Sequence, residues 1–281
     1  MTKKIKLKCP ICMGDSYFYF RVKDYFNKNN NIYKCNNCGH GFYDRAYSNN
    51  QISRIYDEDY ALDYTDEINS KDRRLRLEQY RHDINELTPF ITKKEISVFD
   101  YGCSSGDFLD LMPSNWKKFG FEINSYHRNY VMLNKKSIKI LDDIKSIRKK
   151  FDLIVMRGVI EHIPYTEDVL RSVLSKLKRN GVFFITATPD FSSVAATIQK
   201  EKWSQIICPE HIHNFTPASL SILLSKYGLV LKHLSHQYFN TPYANWKIDK
   251  NFFLESITKK SFEASFAFPG SMMTLVFEKV I

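Results

Sequence analysis

The chain has 281 residues, 43% of them hydrophobic and 15% aromatic, with a formal net charge of +10. That is enough apolar material to bury a full core, and the length suggests one large domain plus a small one. No run of about 18 apolar residues occurs, and Met1-Thr2-Lys3-Lys4 leads into Cys9 with no apolar signal core, so a spanning helix is excluded and a soluble, cytoplasmic protein is expected. The positive charge invites a nucleic-acid reading. It is carried, however, by scattered pairs such as Lys135-Lys136, Lys149-Lys150 and Lys259-Lys260 and not by a block that would track a phosphate backbone.

Residues 1–45 hold Cys9-Pro-Ile-Cys12 and Cys35-Asn-Asn-Cys38. Each C-x2-C knuckle presents two thiolates from one tight turn, and two such knuckles close a tetrahedron around zinc. A zinc ribbon with these four cysteines as ligands is therefore expected, with the metal serving the fold and His40 as a bystander. Residues 46–95 read as a helical connector. Its acid-rich start carries Tyr60 and Tyr64, and Leu75, Leu77, Tyr80, Ile84 and Leu87 then predict an amphipathic helix over Lys71–Leu87.

Residues 96–281 alternate strand and helix signals. The segment Val98–Leu109, VFDYGCSSGDFL, reads as strand, tight turn and helix start. Gly102 and Gly106 allow close backbone approach to a nucleotide-like ligand. Strands are predicted at Ile96–Phe99, Lys118–Glu122, Ile138–Leu141, Phe151–Met156, Val182–Thr186, Val230–His236 and Met273–Glu278. The alternation argues for a parallel, doubly wound α/β sheet. The last two strands have no predicted helix between them and fit an antiparallel, hairpin-like pair. Glu122 ends the second strand, where a carboxylate can accept both hydroxyl protons of a ribose. Asp142 and Asp143 follow the third, and Glu161-His162 follow the fourth.

These residues resemble class I S-adenosylmethionine (SAM) dependent methyltransferases, from about Ile96 to the C-terminus. The resemblance implies a Rossmann-like seven-stranded sheet whose turn at Asp100, Tyr101, Gly102, Cys103, Ser104 and Gly106, with Phe108 behind it, wraps the methionine and ribose of SAM. It implies Glu122 at the ribose hydroxyls with Ile123 beside it, Asp143 or Asp142 at the adenine edge, and Met156, Arg157 and Glu161 over the site. Tyr60 and Tyr64 would lie over the sulfonium as a lid, since an aromatic face suits a cation and excludes water. Ser104 departs from the family pattern, which has glycine there, and is tolerable where φ stays negative. Cys103 reads as a small packing residue with a backbone role.

The cysteine ribbon and the Tyr-rich acidic stretch ahead of this domain resemble bacterial zinc-ribbon methyltransferases of surface-polysaccharide and deoxysugar biosynthesis. That likeness implies a sugar or nucleotide-linked sugar as acceptor. O-methylation is favoured slightly over C-methylation, because the longer sugar C-methyltransferases carry a further C-terminal domain. A sugar hydroxyl is a poor acid, so a base near neutrality is needed, and histidine fits. The segment Cys208–Pro217, CPEHIHNFTP, places Glu210, His211 and His213 ahead of a helix that Thr216 caps with Pro217 at N1. His211 is the expected base, with His213 and Glu210 orienting it or binding substrate, and Glu161-His162 is the competing pair. Cys208, His211 and His213 also have a spacing open to a second zinc. Trp246 and Tyr243 would stack on a sugar or base. Two other readings stay open: RNA methylation with the basic ribbon as docking module, and a SAM-binding scaffold without turnover.

Overall fold

The computed structural model describes residues 7–24, 27–45, 47, 71–164, 166–239, 241–257, 265 and 267–281. Three short strands open the chain: β1 (Ser16–Lys23), β2 (Asn29–Cys35) and β3 (Gly41–Tyr43). They pair antiparallel and carry the second cysteine knuckle back onto the first. The expected lid tyrosines, Tyr60 and Tyr64, lie outside the described residues. The predicted amphipathic helix forms over its expected range as α1 (Lys71–Leu87), with Ile84 and Leu87 buried.

The remaining elements follow in the order β4 (Ser97–Tyr101), α2 (Asp107–Leu111), β5 (Lys117–Phe121), α3 (Ser125–Asn134), β6 (Ile138–Ile140), β7 (Phe151–Arg157), α4 (Thr166–Leu174), β8 (Leu177–Pro189), α5 (Val194–Gln199), β9 (His213–Asn214), α6 (Pro217–Ser225), β10 (Leu229–Ser235), α7 (Trp246–Ile257) and β11 (Met272–Lys279). Seven of the strands make one sheet in the order β10-β11-β8-β7-β4-β5-β6. Its pairings are parallel except at β11, which runs antiparallel to both β8 and β10. This is the Rossmann-like α/β architecture that the strand-helix alternation implies.

Both faces of the sheet are covered, so its central strands are apolar on alternate residues in both directions. Phe99, Ile154, Met156, Phe183 and Ile185 point into one buried cluster, and Val98, Leu153, Val155 and Phe184 into the other. A departure from the sequence expectation is α7, which lies between β10 and β11 where the sequence predicts no helix. Its exposed face carries Trp246 and Leu254, so the apolar periodicity that announces a buried helix is diluted.

Strand order reverses at β4, from which the chain winds one way through β5 and β6 and the other way through β7 and β8. The crevice outside the C-terminal ends of β4 and β7 is where an open α/β sheet receives its ligand. A second union was not legible in the sequence: β9 joins the N-terminal sheet as its fourth strand, in the order β1-β2-β3-β9. Gly41 pairs with Asn214 and Phe42 with His213. The cysteine module is thereby stitched to the loop that precedes α6.

Candidate active site

At the end of β4 the chain turns sharply through three left-handed residues, Gly102 (φ 86°), Ser104 (φ 46°) and Gly106 (φ 75°). A Cβ on Gly102 would stand 2.7 Å from a Val159 methyl, so both the backbone conformation and the space require glycine there. Ser104 corrects the expectation of a negative φ. Its backbone amide donates to Glu122 Oε2 (2.8 Å), which holds the residue in the left-handed region despite its side chain. Cys103 is buried, with its sulfur packed against Gly120, in keeping with a packing role.

Asp100 is 2% exposed, and its Oδ1 has no hydrogen-bond partner among the described residues. Burial raises its pKa to about 7, with Arg157 opposing and Glu122 adding to the rise. A buried carboxylate oxygen without a donor is costly, and a cationic ligand group would relieve it. Glu122 is also buried; Oε2 accepts from the Ser104 amide and Oε1 from the Asn124 amide, each at 2.8 Å. One further lone pair on each oxygen remains for a hydroxyl. These residues therefore fit the amino-acid and ribose parts of a nucleoside donor such as SAM.

Other residues of the expected donor set are distributed less evenly. Tyr101 stacks on Phe121 (centroids 5.1 Å apart) and Ile123 is exposed beside Glu122. Asp143 caps its own turn by accepting from the Lys145 and Ser146 amides, and both it and Asp142 are exposed. Met156 is a correction: it is fully buried and faces the core, because side chains alternate along β7 and Arg157 is the one that turns to the crevice. Phe108 is buried edge-on to Tyr80, 5.4 Å between centroids.

Arg157 reaches the buried Asp83 of α1 (2.8 Å) and stacks over Tyr80 at 4.3 Å. Arg157 and Asp83 line a small cavity of about 50 Å³, whose walls also include Gln79, Thr186, Gln237, Thr241 and Tyr243. Asp83, Gln79 and Gln237 were missed by sequence reasoning. They form one network, with Gln79 Nε2 donating to both Asp83 Oδ1 and Gln237 Oε1 at 2.9 Å. The available signal was a carboxylate next to Ile84 on the apolar side of a predicted helix, a position that needs a partner.

The histidines sort into two groups. Glu161 and His162 sit on the 3-10 turn Ile160–His162 after β7, and His211 comes to them from the loop before β9. One ligand-competent atom from each of the three lies within 4.8 Å of the others. The His162 and His211 rings meet edge to face, 4.7 Å between centroids. His211 Nδ1 is 2.7 Å from the Gln205 carbonyl oxygen, which requires the proton on Nδ1 and leaves the lone pair on Nε2. The Thr188 hydroxyl donates to Glu161 Oε2 (3.1 Å). Burial pushes His162 down to about 3, with His211 adding to the shift, and pushes His211 down to about 4 and Glu161 up to about 7.

His213 is elsewhere. As part of β9 it lies in the ribbon sheet, with Nδ1 3.3 Å from His40 Nε2, so it neither orients His211 nor shares a zinc with it and Cys208. The physical reason is strand pairing: two residues on from His211, the chain has already entered its register with β3. His40, expected as a bystander, is fully buried in that contact. Glu210 lies beside the cluster, its backbone against His162.

The four ribbon thiols converge. Sγ atoms of Cys9 and Cys38 are 3.6 Å apart, Cys12 and Cys35 3.4 Å, and Cys12 and Cys38 3.5 Å. These are far from a disulfide bond and close to the roughly 3.8 Å edge of a tetrahedron with bonds of about 2.3 Å. The Ile11 and Asn37 amides point at the Cys9 and Cys35 sulfurs, as thiolates in knuckles require. The donor set fits zinc.

A family model described as "Methyltransferase domain" matches residues 72–234, more than half of the chain. The chain belongs to this methyltransferase family. Among curated relatives, the methyltransferase is 27% identical over 183 residues to a ubiquinone biosynthesis O-methyltransferase of Pelagibacter ubique, covering 59% of this chain and 75% of the relative. It is 24% identical over 184 residues to the protein of the same name from Histophilus somni, with the same coverage. Among solved structures, magnesium protoporphyrin IX methyltransferase from Synechocystis with bound S-adenosylhomocysteine (SAH) superposes with a TM-score of 0.54 at 12% identity, over 82% of this chain and 100% of that one. The plantazolicin methyltransferase in complex with a substrate analogue and SAH gives 0.52 at 14% identity, over 82% and 93%. A Haloferax volcanii methyltransferase complexed with its Trm112 activator gives 0.54 at 12% identity, over 72% and 90%. At such identities these likenesses speak for the fold, which with the family match makes the protein a SAM-dependent methyltransferase. Among the described residues no helix is long and apolar enough to cross a membrane.

Proposed function

We propose that this methyltransferase transfers the methyl group of SAM to a hydroxyl oxygen of a sugar or nucleotide-linked sugar. The observation that carries this reading is the unpartnered, buried Asp100 oxygen at a left-handed turn, beside a cavity lined with amides and hydroxyls. Asp100 would accept from the donor's ammonium and Glu122 from its ribose hydroxyls, while Tyr101, Ile123 and Asp142 flank the base. Asp143 stays eligible there beside Asp142, because each of its oxygens accepts one turn amide and keeps a further lone pair. When bound, SAM supplies an electrophilic methyl carbon on a sulfonium, so that an O–C bond forms as the C–S bond breaks and its electron pair stays on sulfur.

The chain's own task is alignment and exclusion of water. Arg157, fixed by Asp83 and Tyr80, forms a rigid wall, and Gln79, Gln237 and Thr241 offer the mixed donors and acceptors that a polyhydroxyl acceptor needs. Activation of the hydroxyl falls to the cluster around His211, whose Nε2 lone pair is available. Oxygen is favoured over carbon as the accepting atom by the O-methylation in the names of the curated relatives. The four thiolates would hold one structural zinc.

Two substitutions test the assignment. Glu122→Ala should weaken SAH binding about 10-fold or more by calorimetry, since charge-assisted hydrogen bonds are lost; unchanged affinity would refute the ribose seat. His211→Ala should lower turnover of labelled SAM with nucleotide sugars about 100-fold while SAH affinity holds, and undiminished turnover would move the activating group elsewhere.

A further inference from the structure

We propose that Glu161, His162 and His211 form a second metal site, one that binds a divalent transition cation close to the donor turn. This deepens the methyl-transfer reading and rests on it for its role, though not for its existence. The three ligand atoms come from two segments far apart in sequence, yet they converge within 4.8 Å. Two ligands about 2.1 Å from a common centre stand roughly 3–4 Å apart, so small side-chain rotations close the set.

The supporting shell is in place. The Gln205 carbonyl fixes the His211 tautomer with Nε2 free for a metal, and the His211 amide donates to the Ile207 carbonyl (2.8 Å), which anchors the backbone. The Thr188 hydroxyl holds one oxygen of the Glu161 carboxylate. Ligating imidazoles and carboxylates are steered by partners of this type. Glu161 is 2% and His211 7% exposed, and a cation would compensate a carboxylate buried against two imidazoles beyond what the Thr188 hydroxyl, a backbone hydrogen bond and the Arg157 charge supply. Two nitrogens and one oxygen suit zinc, manganese, iron or cobalt over calcium or magnesium, and three protein ligands leave a position open.

The site adjoins the donor turn. Glu161 follows closely on Arg157 in the chain, and Val159 between them packs on Gly102 of the donor turn. An acceptor hydroxyl in the open position would become acidic enough to lose its proton to solvent water, as metal-bound water does near neutrality, and its oxygen would then take the methyl group.

Metal stoichiometry tests this independently of turnover. Full-length protein stripped of metal and refilled with Co2+ should bind two equivalents: one with strong thiolate charge-transfer bands from the cysteine site, one with only weak visible bands. His211→Ala and His162→Ala should each lose the second equivalent while keeping the thiolate bands and SAH affinity, which report that the ribbon and the donor seat remain folded. One equivalent in the unaltered protein, or a second that survives both substitutions, would overturn the proposal. Loss of SAH binding in the unaltered protein would instead remove the donor seat and leave the metal count standing.

Discussion

Asp100 shows how a single side chain can be shaped for a ligand. Burial is the main reason its pKa rises to about 7, and the Arg157 charge only partly offsets it. An ammonium binds the ionised form, so the proton must leave before the donor is held. SAH affinity should accordingly tighten as pH rises from about 6 to 8, and Asp100→Asn should be weaker and nearly flat over that range; calorimetry at several pH values checks this. Glu122 was legible from the sequence because it ends a strand next to a glycine turn, a local arrangement. The partnership of Asp83 with Arg157 was not, since 74 positions separate them and nothing in either neighbourhood announces the other.

Among the elements, the N-terminal ends of β4, β7 and β8 are tied by one carboxylate. Asp152 accepts from the Ser97 amide (3.0 Å) and hydroxyl (2.9 Å), from Lys178 Nζ (2.8 Å) and from Lys93 Nζ (3.1 Å). Burial works to raise its pKa, but Lys178, Ser97 and Lys93 together hold it well below the usual carboxylate range. A depressed folded pKa contributes stability that is fully present above the unfolded value of about 3.9 and is lost as pH falls through the folded one. Asp152→Asn should therefore cost about 1–3 kcal/mol at neutral pH. The difference should shrink from about pH 5 downward as the unfolded chain's carboxylate takes up its proton, and urea titrations at about pH 7 and pH 3 follow the decline. At α6 Thr216 is the N-cap that the Thr-Pro pair implied, its Oγ1 accepting from the Ser219 amide (3.1 Å), and the structure adds the reciprocal bond from the Thr216 amide to Ser219 Oγ (2.9 Å). The same Thr216 hydroxyl also donates to the Cys38 carbonyl (2.6 Å), and that second bond was invisible to helix rules.

For the whole molecule, the consequence of that bond and of β9 is mechanical. The ribbon grips residues 213–216 through strand pairing, through the His40–His213 contact and through Thr216, and Phe191 packs over Gly41 while its amide donates to the Phe215 carbonyl (2.8 Å). Zinc in the ribbon would thus stabilise the loop that presents His211, beyond folding its own module. Cys12→Ser should raise hydrogen exchange at the Asn214 and His211 amides and lower turnover, with SAH affinity within about 3-fold of the unaltered protein. Protection unchanged at those amides would show that the loop holds itself.

The sequence by itself determined the parts governed by neighbours in the chain: the strand-helix alternation, the glycine turn, the acid at the end of β5, the amphipathic α1 and the paired cysteine knuckles. Each follows from backbone sterics, side-chain period or ligand spacing over a few residues. Only the tertiary structure decided that His211 meets Glu161 and His162 while His213 goes to His40, 173 positions away, and that α1 walls the cavity with Asp83 and Gln79. Such pairings depend on how a sheet closes and which loop finds which edge. Burial of distant groups against one another rewards them, and no local pattern records it.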